Sequence, residues 1–255
     1  MAIFEWRTRK KITLFLIASA VIAVFGFLIF YFIKNEPTCS DGRQNQDEEK
    51  IDCGGGCNPC VENPKDLTIL WTRALETGQP GIYEAASLVE NTNLFYGLYR
   101  LKYAFRLYDD NNILVAVKEG ETYVNPGEKF VIFSADIEVG NRKPVRAFME
   151  TEYISEWKYA GAEKNSLVVS SKNFSGIPFP SLSVKLFNES VFSVKDVDAA
   201  AVLYDERGNV MAVSYTKVDS IPGEEYRNAV FTWPALFAKD PSSSEIFTRV
   251  NFSKK

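Results

Sequence analysis

The 255-residue chain contains no histidine, and that absence excludes much chemistry at once. The side chain that most often shuttles protons near neutral pH is missing, and so is the commonest transition-metal ligand. Serine–histidine and cysteine–histidine nucleophile pairs are therefore excluded. No phosphate-cradling P-loop, no GxGxxG turn and no GxSxG nucleophile elbow occurs. The 33 Asp and Glu residues could supply a carboxylate pair of the glycosidase kind. None of them sits in a distinctive context, and most fall in turns or at outward strand positions. The chain is accordingly expected not to be an enzyme.

Cysteine is scarce and confined. All four, Cys39, Cys53, Cys57 and Cys60, lie within one stretch of 22 residues. Uncharged apolar runs are scarce as well, with one exception. Ile12 to Ile33 is 22 residues without a charge, enough to cross a bilayer core as a helix. Arg7, Arg9, Lys10 and Lys11 precede it and Lys34 alone follows. The positive-inside bias therefore places the N-terminus in the cytoplasm and the remainder outside. The run ends in Phe30, Tyr31, Phe32 and Ile33, too bulky for a signal-peptidase site, so the helix is read as a retained plasma-membrane anchor. With Glu5, residues 1–11 carry +3, leaving -7 for the rest of a chain of net -4. An acidic ectodomain excludes nucleic acid as the expected partner and leaves the basic cluster as a topology signal.

Outside the cytoplasm, cysteines pair and persist as disulfides. Gly54-Gly55-Gly56 between Cys53 and Cys57 supplies the tight backbone that neighbouring crosslinks need. So short a segment buries no core, and two disulfides are the expected source of its order, with three connectivities open. Gaps of 13, 3 and 2 residues do not form the paired CxxC knuckles of a four-cysteine zinc site. The CxxC of Cys57 to Cys60 could serve thiol redox work, but no βαβ pattern surrounds it. Asp41, Asn45, Glu48 and Asp52 offer hard oxygen ligands around a glycine-bearing turn, as calcium loops do, and a solvated acidic linker is the competing reading. The segment resembles a short motif of bacterial secreted and surface proteins, CxDGxxNxxExxxDCGGxCxxC, with every fixed position filled. That resemblance implies extracytoplasmic placement as a spacer between modules, and it implies no reaction.

Beyond the cysteines the chain repeats itself at an offset of 96 to 97 residues. Phe105-Arg106-Leu107-Tyr108-Asp109 returns as Ala201-Val202-Leu203-Tyr204-Asp205, and Pro126-Gly127-Glu128 as Pro222-Gly223-Glu224. Ala85, Ser87, Val89 and Asn91 return as Leu182, Val184, Leu186 and Asn188. Within each copy the apolar period is two. Leu101, Tyr103, Phe105 and Leu107 share one face against Arg100, Lys102 and Arg106, and Val197, Ala199, Ala201 and Leu203 repeat the inward face. This alternation predicts antiparallel strands buried on one side. Turns are expected at Asp109 to Asn112, at Asp205 to Asn209 and at the two Pro-Gly pairs. Strands are expected over Ile113 to Val117, Phe130 to Ile137, Val210 to Tyr215 and Tyr226 to Trp233. The fold class is all-β. The expected domains are a cytoplasmic tail (1–11), the helix (12–33), a cysteine module (37–62) and two sandwiches (65–160 and 161–255). Whether Tyr153 to Ala162 closes the first sandwich or bridges to the second stays open.

The five residues Phe105 to Asp109 match the motif of the FxLYD domain family, and the second copy keeps Leu203, Tyr204 and Asp205 but has Ala201 for Phe. The resemblance implies tandem immunoglobulin- or fibronectin-like sandwiches of prokaryotic membrane and secreted proteins, with no established activity. The residues themselves read as structural, with Phe105 and Leu107 in a core, Tyr108 on the opposite face and Asp109 opening a turn. Asn173, Asn188 and Asn251 head N-x-Ser sequons. In a bacterial or archaeal chain these are expected to be chance, and the repeat pairs Asn188 with Asn91 as a shared turn.

The expected function is a membrane-anchored, non-catalytic scaffold of the cell envelope. It would contact the bilayer through residues 12–33 and present loops and strand edges to an envelope protein or surface polymer. The alternatives are a calcium-dependent adhesion or sensor module through the acidic cysteine loop, and a thiol-redox or assembly factor through Cys57 and Cys60.

Overall fold

A computed structural model of the chain describes residues 2–34, 38–39, 41–49, 53–57, 60, 64–160 and 166–251. It divides into two compact units, residues 1–63 and 64–255.

In the first unit, α1 (Ala2–Lys34) is continuous. Its span Lys10–Leu28 has a mean hydropathy of 2.3 and is exposed. It is long and apolar enough to cross a membrane. The cysteine module has little regular structure and is closed by disulfides Cys39–Cys57 and Cys53–Cys60. That interleaved pairing is one of the three the sequence left open.

Among its described residues, the second unit holds thirteen antiparallel strands. The first repeat holds β1 (Thr68–Glu76), β2 (Ile82–Glu90), β3 (Tyr96–Tyr108), β4 (Leu114–Val124), β5 (Lys129–Glu138), β6 (Arg146–Tyr153) and β7 (Lys158–Tyr159). The second holds β8 (Leu167–Ser175), β9 (Ser181–Asn188), β10 (Val194–Tyr204), β11 (Val210–Ile221), β12 (Tyr226–Thr232) and β13 (Ser243–Arg249). Each repeat is a two-sheet antiparallel β-sandwich. The sheets of the first are β1-β2-β5 and β4-β3-β6, and those of the second are β12-β9-β8 and β11-β10-β13. Strands β4 and β11 run well past the expected ends at Val117 and Tyr215. β7 pairs with the start of β3, so the segment after Tyr153 closes the first sandwich.

The period-two pattern positions both cores. Phe105, Leu107 and Leu101 are fully buried with Ala85, Val89 and Phe130 inside the first sandwich. Val197, Ala199, Ala201 and Leu203 fill the second with Leu186 and Phe231. Ala201 leaves room where the first repeat has Phe105, and Phe231 and Trp233 belong to the same cluster. Asn91 and Asn188 are the buried polar pair of the repeat. Asn91 donates to the carbonyls of Tyr96 and Asn125, and Asn188 to those of Phe192, Ile221 and Pro222. Each ties one loop to the next, because a buried amide left without partners costs more than its bonds gain.

These bonds also correct the repeat alignment at the Pro-Gly turn. Gly127 donates its backbone N–H to Asn93, and the equivalent donor to Ser190 is Glu224, not Gly223. Both Gly127 (φ 58°) and Glu224 (φ 57°) occupy the left-handed region. The repeat is thus out of step by one residue there. Gly223 is fixed by a different constraint, since a Cβ would lie 2.2 Å from the carbonyl oxygen of Val191.

A third apolar cluster joins the two sandwiches. Leu75, Ala86, Leu88 and Val131 on the outer face of β1-β2-β5 meet Ala200, Val202, Val213 and Phe247 on the outer face of β11-β10-β13. Four sheets are therefore stacked with three apolar layers between them.

Candidate functional site

In the cysteine module, Asp41 accepts the N–H of Arg43 (2.9 Å) and the side-chain amide of Asn45 (2.8 Å). The bond from Asn45, followed by those from backbone N–H groups, holds the Asp41 carboxyl below its ordinary range. Glu48 is buried, accepts the backbone N–H of Asn45 (3.1 Å) and lies 3.2 Å from the Cys57 sulfur. Both sulfurs near Glu48 belong to the Cys39–Cys57 bridge, so they offer no thiolate to a metal. The structure thus brings Asp41, Asn45 and Glu48 into one turn, with Gln46 and Asp47 at positive φ. Asp52 lies outside the described residues. Among the described residues, the Asn45 side-chain oxygen is sealed from solvent with no donor. Cys60 is bonded to Cys53, and Asn58 and Pro59 of the CxxC lie outside the described residues.

The family-motif residues act in turns and packing. Asp109 accepts the backbone N–H groups of Ile113 (2.9 Å) and Asn111 (3.0 Å) and pairs with Arg142 (2.7 Å). The Ile113 bond leads the causes that hold its carboxyl low. Asp205 repeats the turn with the N–H groups of Arg207 and Asn209, and the Asn209 amide lowers its carboxyl most. Tyr108 packs edge-on against Phe148 (5.7 Å) on the outer face, and Tyr204 donates to Glu245 (3.0 Å). Burial, then Glu245, raises the Tyr204 hydroxyl above its ordinary value.

Among the described residues, the densest polar constellation lies between the repeats, where no sequence motif marks it. Arg249 ends β13 and is buried. It reaches Glu128 with two nitrogens (2.6 and 3.1 Å) and stacks over the rings of Tyr123 and Phe130. Burial works most strongly against its charge, yet Glu128, Tyr123 and Asp198 together outweigh it and raise its pKa. Asp198 accepts hydroxyl protons from Tyr123 (3.0 Å) and Tyr215, and Lys217 lies 3.4 Å away. Burial first, with Asp198 adding, raises both phenols. Both proton donors are thus committed, and the chemistry is that of a latch. The sequence carried half a signal: Glu128 precedes the strand expected from Phe130, but no strand was expected at Arg249, and nothing local pairs residues 121 apart.

One cleft of about 440 Å³ opens on the outer face of β4-β3-β6, with Lys102, Ala104 and Arg106 as its floor and Glu119, Glu150 and Glu152 at its sides. Arg106 is paired with Glu150 (2.9 Å). The equivalent face of the second repeat is the one covered by the first.

The poles of the two repeats also differ. In the first, Tyr159 of β7 pairs with Tyr96 (rings 5.6 Å apart) and stacks near Phe95, and the Ser155 hydroxyl bonds the backbone of Arg100. Asn188 bonds the carbonyl of Phe192 as Asn91 bonds that of Tyr96, so Phe192 is the counterpart of Tyr96. Phe192 is 77% exposed and Val191 69%.

No family model matches the chain, and no curated protein matches it. Among solved structures, a red sea bream transglutaminase is similar at 9% identity and a TM-score of 0.22. The match covers 73% of this chain and 29% of that one. Fold and site together define a tandem, antiparallel β-sandwich protein with an N-terminal apolar helix and a disulfide-closed module.

Proposed function

We propose that the protein is a single-pass membrane scaffold of the cell envelope, kin to the FxLYD domains. In this reading its short basic N-terminus lies in the cytoplasm, its sandwiches lie outside, and it works by binding instead of catalysis. The observation that carries the reading is the latched junction. Two small sandwiches that need only a linker are fastened by an apolar cluster and a buried ion pair. Such a junction keeps exposed loops at fixed separations, which serves partner recognition more than turnover. The helix, of bilayer-spanning length and apolarity, supports the membrane placement, and the two disulfides support an oxidising compartment. Crosslinking the full-length protein in its native cells tests the proposal. A defined membrane or secreted protein should copurify. Recovery of surface polymer alone, or of nothing, would count against it.

A second reading has one observation in its favour. The Asn45 oxygen, sealed and with no donor among the described residues, lies beside Asp41 and Glu48 and suits a calcium ion. Millimolar calcium should then raise the unfolding temperature of the full chain, and Asp41→Ala should abolish the rise. An unchanged midpoint would end that reading.

A further inference from the structure

The two repeats differ in one respect that bears on a partner. In the first, β6 pairs with β3 from Leu101 onward, and the earlier part of β3 is covered by the segment from Tyr153 to Ala160. The Ser155 hydroxyl meets the backbone of Arg100, and Lys158 and Tyr159 form a short strand against Gly97 and Tyr96. Ala160 finishes the strap by donating to the carbonyl of Phe95. In the second repeat, β13 pairs with β10 only from Asp198 onward. Among the described residues no strand lies beside Val194 to Val197 on that side, although β11 pairs with them on the other. The aromatic side chain that the strap would cover, Phe192, stands 77% exposed beside an exposed Val191.

The charge around this open edge has changed as well. Glu189, Asp196, Glu224 and Glu225 are exposed there with Lys195. At the equivalent positions the first repeat has Thr92, Arg100, Gly127 and Glu128, and Glu128 is consumed by Arg249. An unpaired strand edge recruits an extended segment through backbone hydrogen bonds, while side-chain pockets and charge select which one.

We propose that the edge of β10 from Val194 to Val197, together with the exposed Phe192 just before it, binds an extended, basic segment of a partner protein that carries an aromatic side chain. The segment runs along the start of β10 as the strap from Tyr153 to Ala160 runs along the start of β3, its aromatic ring packs on Phe192 as Tyr159 packs on Tyr96, and its cations face Glu189, Asp196, Glu224 and Glu225. This deepens the scaffold reading by naming the partner's chemistry.

The first repeat supplies the probe. A fluorescent peptide of the sequence Tyr153 to Ala160, and the same peptide with Glu156→Lys, are titrated against the full-length protein in lipid nanodiscs and followed by anisotropy. Both should bind saturably, the Glu156→Lys peptide about tenfold more tightly, since it exchanges a repelled charge for an attracted one. Phe192→Ser should weaken both about tenfold with the unfolding temperature unchanged, because the side chain is exposed. Glu224→Lys with Glu225→Lys should reverse the preference between the peptides. Lack of saturable binding by either peptide, or binding indifferent to Phe192→Ser, overturns the proposal. So does binding seen only after residues 252–255 are removed, because the chain's own tail is then the occupant. Peptide binding is read in isolation, so its failure is separable from a failure to find any partner by crosslinking in cells.

Discussion

Glu84 shows how a single residue can oppose the fold around it. It lies in β2 at an irregular register with β5, half-buried, with Asp136 as its charged neighbour. Burial first, and Asp136 second, push its carboxyl up to about 7. A carboxyl raised in the folded state favours folding while protonated. Its contribution is fully present below the unfolded value near 4.5 and is lost as pH rises through about 7. Glu84→Gln should therefore raise the thermal midpoint by a few degrees at pH 8 and leave it unchanged at pH 4. Equal effects at both pH values would contradict this. Glu224 is a second such residue, an L-amino acid held at φ 57° where the first repeat uses Gly127. Glu224→Gly should stabilise by about 1 kcal/mol in denaturant titration, whereas Gly223→Ala should destabilise by driving a methyl into the Val191 carbonyl. At this scale the sequence was legible where chemistry is local. Asp109 and Asp205 announced their turns. Glu224 did not, because the matching Pro-Gly-Glu letters hide a shift of one residue that only the loop hydrogen bonds reveal.

At the scale of elements, alternation along β3 and β10 made the inward faces readable, and every residue expected there is buried or packed on a core. The outward faces were not readable as a pair. Ala200, Val202 and Val213 alternate with core residues just as Ala104, Arg106 and Val117 do, yet one face is covered and the other open. The deciding contacts join residues far apart in sequence, such as Arg249 and Glu128. Removing one member of a buried ion pair leaves a charge in a poor solvent, at a cost of about 3–5 kcal/mol. Arg249→Met should cost that much by chemical denaturation, and adding Glu128→Leu should recover most of the loss, since a packed apolar pair can replace a buried salt bridge. If the double variant is as unstable as the single one, the pair does more than neutralise its own charges. The cysteine motif was legible in its content but not in its wiring, because spacing alone cannot choose between three connectivities.

Across residues 64–255, three apolar layers bind four sheets together, so the two repeats should unfold in a single calorimetric transition. Arg249→Met should weaken their junction enough to separate that transition into two. The stack presents its first repeat with a charged outer face and its second with a strand edge that no described residue pairs at the pole. Those exposed regions, held at fixed separations, are the basis for reading the protein as an envelope scaffold. The most direct measurement places a photo-crosslinking amino acid at position 192, at 148 on the outer face of the first repeat, or at 230 on that of the second, in full-length protein in its native membrane. The account predicts a discrete protein adduct from position 192. Absence of an adduct at all three positions, with the protein present and folded in the membrane, would contradict it.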